Sequence, residues 1–124
     1  EDNDSEANKI IDEVIQISEK YGLLKILELA LYTKGVLYTK SDNHKLAKPL
    51  FYRSYELAKS LKITNRILYC FGATCRAIAG ETDVYDSIIF YKNEILEVRS
   101  ISGKKNFHIS NIPGFENIPG IKSV

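Results

Sequence analysis

The sequence repeats itself with a period of 37 residues, and this period limits the fold more than any other feature of the chain. Moving residues 63–80 back by one period places Gly72 on Gly35 and Tyr69 on Tyr32. Five further positions align over three stretches, as Ile10, Ala47 and Val84; Val14, Phe51 and Ile88; Ile17, Ser54 and Tyr91; Tyr21, Ala58 and Ile95; and Leu24, Leu61 and Val98. Self-similarity at a period of about 20–50 residues is typical of a solenoid, whose units bury their apolar faces on one another. The alternative is an ordinary antiparallel helical bundle with accidental periodicity.

Apolar residues at helical spacing predict five helices, at about 5–20, 23–40, 44–61, 63–79 and 83–99. Gly22 and Gly80 are placed to end the first and fourth helices, and Asp83 belongs to a segment that can cap the fifth. Pro49 is compatible with a helix only in or near the first turn, because it lacks the N–H that later positions donate. The third helix is therefore expected to begin late or irregularly, or to kink.

The C-terminal residues 101–124 differ from the rest of the chain and are predicted to form an extended, turn-rich tail. They contain the tetrapeptide Asn-Ile-Pro-Gly twice, starting at Asn111 and at Asn117, and Pro-Gly favours turns. The tail also carries many large apolar side chains, including Phe107, Ile109, Ile112, Phe115, Ile118 and Ile121. Burying one such side chain contributes roughly 1.5–3 kcal/mol. We therefore expect the tail to pack on a helical face, along an open groove or over the last helix.

Two short motifs resemble those of the tetratricopeptide repeat family. Gly35-Val-Leu-Tyr38 is similar to the Gly-x-x-Tyr of the first helix of a unit. Ala47-Lys-Pro-Leu-Phe51 is similar to the Ala-x-x-x-Phe of the second helix. In this pattern the glycine admits the neighbouring helix, while the other three side chains fill the space between helices.

The resemblance covers about residues 5–98, as two and a half units, and it is that of a divergent member. The second unit keeps Gly72 but not the other three motif residues, and the period is longer than the family's roughly 34 residues. The resemblance implies an all-α fold in which antiparallel helical hairpins stack as a short right-handed superhelix of about five helices. The repeat domain would occupy residues 1–100, followed by a non-helical C-terminal tail at 101–124.

The resemblance also implies a binding face, because the first helix of each unit lines the inner, concave surface of such arrays. That face is expected to carry Leu29, Tyr32, Val36, Thr39 and Lys40 from the first unit and Arg66, Tyr69, Ala73, Arg76 and Ala77 from the second. Tyrosine offers a broad apolar body with a polar tip, and the basic side chains suit a carboxylate or a backbone carbonyl of an extended peptide. The alternative is that this face packs on a neighbouring unit of a longer protein.

No combination of residues predicts catalysis, a cofactor or a bound metal. His44 lies in a polar turn and His108 in the tail, with no nucleophile paired to either. The acidic residues at 81–86 suit the positive end of a helix dipole better than a metal site. Cys70 and Cys75 are five residues apart on one helix, too divergent for a disulfide, and predict packed thiols in a reducing, cytoplasmic compartment.

The charge and hydropathy of the sequence argue against a nucleic-acid partner and against a membrane-spanning segment. The net charge is only +1, and no dense basic cluster predicts a nucleic-acid partner, although a basic face at 25–62 keeps that class as a remote alternative. No apolar run approaches the roughly 18 residues of a membrane span. The sequence lacks methionine, even at its first position, and we expect it to be part of a longer protein.

Together these features predict a non-enzymatic module that binds a protein or an extended peptide, as a scaffold or regulatory recognition domain. The alternative is a regulatory or oligomerisation domain, either of a peptide-sensing transcription regulator or of a multidomain enzyme whose catalytic part lies elsewhere. A homo-oligomer formed through the open helical ends would fit both interpretations.

Overall fold

The computed structural model describes residues 2–112 and 115, and this part of the chain is all-α, as predicted. Five α-helices follow one another: α1 (Asp2–Tyr21), α2 (Leu24–Lys40), α3 (His44–Leu61), α4 (Thr64–Glu81) and α5 (Val84–Ser102). A short 3-10 turn at Ile109–Asn111 lies in the tail. The helix α5 extends three residues beyond its predicted end, to the point where Gly103 adopts a positive φ of 73°.

Side-chain caps start two of the helices where the sequence places polar residues. The Asn43 side chain accepts a hydrogen bond from the Leu46 N–H at the start of α3. Asp83 accepts from the Asp86 N–H at 2.8 Å at the start of α5, which confirms the predicted cap. Each cap satisfies a backbone donor that has no partner within its helix.

The predicted late or irregular start of α3 is wrong. The helix begins at His44 and runs through Pro49 without a break. Pro49 removes the backbone bond to the Lys45 carbonyl, and both residues lie on the exposed side of the helix. Water can bond to that carbonyl, so the helix continues past the proline.

The helices form two layers. Consecutive helices pack on each other from α1 to α5. Within the layer of α1, α3 and α5, Arg53 pairs with Glu19 at 2.6 Å and Lys59 with Glu97 at 3.1 Å. Within the layer of α2 and α4, Arg66 pairs with Glu28 at 2.8 Å. This arrangement is compatible with stacked helical hairpins.

The close approach of α2 and α3 depends on Gly35, in the role that the sequence predicts. A Cβ atom at this glycine would lie 2.6 Å from Cε1 of the buried Phe51 ring. Phe51 packs with Ala47 and with Ala73 and Ala77 of α4, while Tyr32 and Tyr38 flank the cluster. The motif residues therefore fill the space between three helices.

The tail packs on its own chain, as expected for the residues that the structure describes. Ile109, Ile112 and Phe115 are buried in the main core with α4 and α5. Arg99 of α5 holds the segment, since its Nε donates a hydrogen bond to the Phe107 carbonyl at 2.7 Å. Ile118, Ile121 and the prolines and glycines of the Asn-Ile-Pro-Gly copies lie outside the described residues.

We expect Gly35→Ala to lower the free energy of unfolding by about 1–3 kcal/mol, because the new methyl group would overlap the buried Phe51 ring. Urea unfolding measures this loss. The matched control is Gly72→Ala. Its new Cβ atom would lie 3.3 Å from an Ile112 methyl group, and the variant gains about 1 kcal/mol of helix propensity. Equal stability of the two variants would contradict the close approach at Gly35.

The burial of the tail predicts that it contributes to global stability. We expect Ile109→Ala to lower the free energy of unfolding by about 2–5 kcal/mol, because Ile109 is fully buried. Leu46→Ala is the control, since Leu46 is exposed on α3 and should change stability by at most about 0.5 kcal/mol. Indistinguishable melting of both variants would mean that the tail does not support the core.

Candidate functional site

A continuous groove crosses α2 and α4, and we call it the inner groove. It consists of three adjoining depressions of about 240, 300 and 510 Å³. Tyr32 lines all three. The smallest lies between Leu29 and Arg66, and the next lies over Phe51 and Ala73. The largest extends along α4 to the docked tail.

Most of the residues predicted for the binding face line this groove. Nine of the ten do so: Leu29, Tyr32, Val36, Thr39, Arg66, Tyr69, Ala73, Arg76 and Ala77. Lys40 lies in the exposed last turn of α2 and lines none of the three depressions. The structure thus brings the two repeat-related helices together along one surface.

Beneath Arg66, at the end of the groove formed by the smallest depression, lies a buried carboxylate that the sequence did not predict. Glu28 of α2 accepts two hydrogen bonds from Arg66, Nε to Oε1 at 2.9 Å and Nη2 to Oε2 at 2.8 Å. Ser54 of α3 donates to Oε2 at 2.5 Å, and Cys70 of α4 donates to the same oxygen at 3.2 Å. The one signal in the sequence was an acidic residue inside the mostly apolar stretch from Leu23 to Leu31, whose other charged residue is Lys25.

Hydrogen bonding keeps this carboxylate ionised. Burial by itself would raise the pKa of Glu28, but the bonds from Arg66, Ser54 and Cys70 outweigh it, and the pKa is lowered. The bond to Glu28 likewise raises the pKa of Arg66. The ion pair is therefore fully charged on both sides at neutral pH.

The arginine of this pair also orders the aromatic walls of the groove. The Arg66 guanidinium lies 4.6 Å from the centre of the Tyr32 ring and 5.9 Å from that of Tyr69. Such contacts are attractive because the face of an aromatic ring is electron-rich. Arg66 was predicted to meet a partner's carboxylate, but Glu28 already matches its charge, and its position between the rings is what it adds to the groove.

The tail forms one wall of the largest depression. Phe107, Asn111 and Ile112 face Leu68 and Gly72 of α4 across it. Gly72 leaves room for this wall, since even a methyl group there would come within 3.3 Å of Ile112. Of the two positions expected for the tail, the structure therefore combines the groove with the last helix.

The two cysteines are free and buried, as predicted. Burial raises the pKa of Cys70 and of Cys75 to about 12 in each case. Both remain protonated at neutral pH, so neither is an activated nucleophile. His44 is occupied by Asp42, to whose carboxylate its Nε2 lies at 2.9 Å.

Comparisons with protein-family models, with curated proteins and with solved structures found no match to this chain. In residues 2–112 and 115, no group of three or more His, Cys, Asp or Glu side chains is placed to hold a metal ion. None of the described helices combines the length and the apolar character needed to cross a membrane.

We expect Glu28→Gln to lower the free energy of unfolding by about 3 kcal/mol at neutral pH, because it leaves Arg66 without a counter-charge. The folded pKa of Glu28 is lowered, so its stabilisation is complete above the ordinary glutamate value of about 4.3 and is lost as the pH falls through the folded value. The gap between wild type and variant should therefore shrink in acid. Urea unfolding at neutral and at acidic pH measures it.

The matched control is Glu19→Gln, which removes the exposed ion pair with Arg53. Exposed pairs contribute about 0–1 kcal/mol, so this variant should melt close to the wild type. A gap for Glu28→Gln that is as small as that of the control, or that does not change with pH, would contradict the assigned role of Glu28.

Proposed function

We propose that this chain is a non-enzymatic helical-repeat module that binds an extended segment of a partner protein along the inner groove. The observation that carries the proposal is the pair of repeat-related tyrosines, Tyr32 and Tyr69, held on either side of the ion-paired Arg66. Binding energy at protein interfaces concentrates in a few such aromatic side chains. Both rings already contact Arg66, which reduces the conformational entropy that they lose when a partner binds.

The shape and polarity of the groove support a peptide as the ligand. Tyr69 is 61% exposed although it lies beside buried residues of α4, and Leu29 and Val36 are exposed on the facing helix. An open, mostly apolar channel with a few polar tips suits a chain of side chains better than it suits one compact small molecule. Because Glu28 neutralises Arg66, we propose that apolar and aromatic side chains of the partner make the main contacts.

The family and the overall shape belong to the same proposal. The close approach of Gly35 to Phe51 and the two helix layers support a divergent tetratricopeptide-like array that coils as a right-handed superhelix. The free buried thiols Cys70 and Cys75 favour a reducing compartment, and we place the protein in the cytoplasm. Their raised pKa values support a role without nucleophilic catalysis. We propose no cofactor, no nucleic-acid partner and no membrane partner.

The test is selection of a binding peptide from a random phage-displayed library, followed by calorimetric titration of that peptide. We expect Tyr69→Ala to weaken binding about thirtyfold, the equivalent of about 2 kcal/mol for an aromatic side chain at an interface. Tyr69 makes few core contacts, so the variant should melt like the wild type.

The control is Tyr85→Ala, which removes a tyrosine of similar exposure, 70%, on α5 and away from the groove. It should leave the dissociation constant unchanged. Binding that survives Tyr69→Ala, or that Tyr85→Ala weakens equally, would place the peptide elsewhere and overturn the proposal. Failure to select any specific peptide would count against it as well.

A further inference from the structure

The repeat register shows that α1 exposes a face which its equivalent helices bury. Two periods separate Ile17 from Tyr91 and Tyr21 from Ile95. Tyr91 and Ile95 are 3% and 8% exposed in α5, whereas Ile17 and Tyr21 are 52% and 65% exposed in α1. Ile10 continues the exposed stripe of α1. In a solenoid, an uncovered face of this kind is a stacking surface.

The equivalent face of α5 is covered by α4 and by the tail. The Tyr91 ring stacks on Phe71 of α4 with 5.8 Å between ring centres. On another side it contacts His108 of the tail, with ring centres 6.4 Å apart. The stripe on α1 would be covered in the same way by a segment that took the place of α4 or of the tail.

We call the layer of α2 and α4 the inner layer and that of α1, α3 and α5 the outer layer. The tail occupies the place of a third inner-layer helix. One period after Gly72 and Cys75 come Ile109 and Ile112, the two residues that the 3-10 turn buries against α4 and α5. The last described element of the chain therefore belongs to the inner layer, and no described outer-layer helix follows it. At the other end, α1 is an outer-layer helix with no described inner-layer element before it.

The outer face of α5 shows the same incompleteness. In α3 the equivalent face receives the next outer-layer helix, through contacts of Tyr52 with Phe90 and of Lys59 with Glu97. One period later these positions are Ile89 and Leu96, and both are exposed, Leu96 by 75%. Within residues 2–112 and 115, no helix packs on this side of α5.

From these two complementary ends we infer that the protein assembles head to tail with a second copy of itself. The α1 helix of one copy packs on the outer face of α5 of the next copy and covers its tail. The tail of one chain and α1 of the other then form the missing unit of a continuous stack. The inference is independent of the proposed peptide binding, because Ile17, Tyr21, Ile89 and Leu96 do not line the inner groove.

The distribution of charge favours this arrangement over a symmetric one. Residues 1–20 carry seven acidic and two basic side chains, and residues 99–124 carry four basic and one acidic. In the tail, Lys104 and Lys105 are exposed. Head-to-tail contact joins opposite charges, whereas pairing of α1 with a second α1 would join two acidic surfaces. A heterologous contact of this kind forms rings or open chains instead of a closed two-fold dimer.

The experiment is size-exclusion chromatography with light scattering on the 124-residue chain, over a range of protein concentrations at low and high salt. We expect the molar mass of the wild type to rise from the 14.1 kDa of one chain as concentration increases, and to rise less at high salt. Ile17→Glu blocks one end and Leu96→Glu the other. Both residues are exposed in the monomer, so both variants should fold, and circular dichroism melting checks this.

Each variant alone is expected to be a monomer, because every contact needs one intact end of each kind. A one-to-one mixture of the two variants should form a dimer that grows no further, because one end of each chain is blocked. Leu46→Glu, an exposed apolar position of α3 away from both ends, should associate like the wild type. A wild type that stays monomeric at every concentration would overturn the inference. A Leu96→Glu variant that still dimerises alone would also overturn it, in favour of symmetric pairing through α1.

Discussion

A carboxylate in the interior of a helical protein has to be matched by charge and hydrogen bonds, since an unpaired one costs several kcal/mol. Glu28 meets this requirement with groups from two other helices, Ser54 on α3 and Arg66 and Cys70 on α4. The Ser54 hydroxyl oxygen also lies 3.1 Å from the backbone carbonyl oxygen of Glu28. This one side chain therefore links α2 to α3 and α4, beneath the Arg66 that lines the inner groove.

The same ion pair sets the chemical character of the groove. Without Glu28, Arg66 would make the site basic and suited to a carboxylate. With Glu28 present, the charge of the Arg66 guanidinium is balanced, and the guanidinium contacts the rings of Tyr32 and Tyr69. The exposed surface around Arg66 is aromatic and apolar. The stacking ends of the chain are apolar for a different reason. Ile17 lies at a repeat position that α3 and α5 bury, and Leu96 lies at the position of Lys59, which in α3 contacts the next helix of its layer. No helix of the described chain covers either residue.

Most local predictions succeeded where the local chain decides the outcome, but Gly80, which was expected to end α4, lies inside that helix, and the helix ends at Glu81. The helices and the cap at Asp83 depend on spacing and on nearby backbone groups, which a sequence displays directly. The late or irregular start expected for α3 was wrong because the effect of Pro49 depends on whether the Lys45 carbonyl faces water, and that is a property of how α3 packs. Nine of the ten predicted groove residues share one surface, since residues one period apart occupy equivalent places in stacked units.

By itself, the sequence determined the helical elements, their order and the surface on which the two tyrosines meet. The 37-residue period and the helical spacing of apolar residues can both be read directly along the chain. Only the tertiary structure decided which charges are paired and where the tail lies. Glu28 and Arg66 are 38 residues apart, and Ile112 and Gly72 are 40 apart. Such contacts are set by how folded helices pack, and no local pattern in the chain records the distance between them.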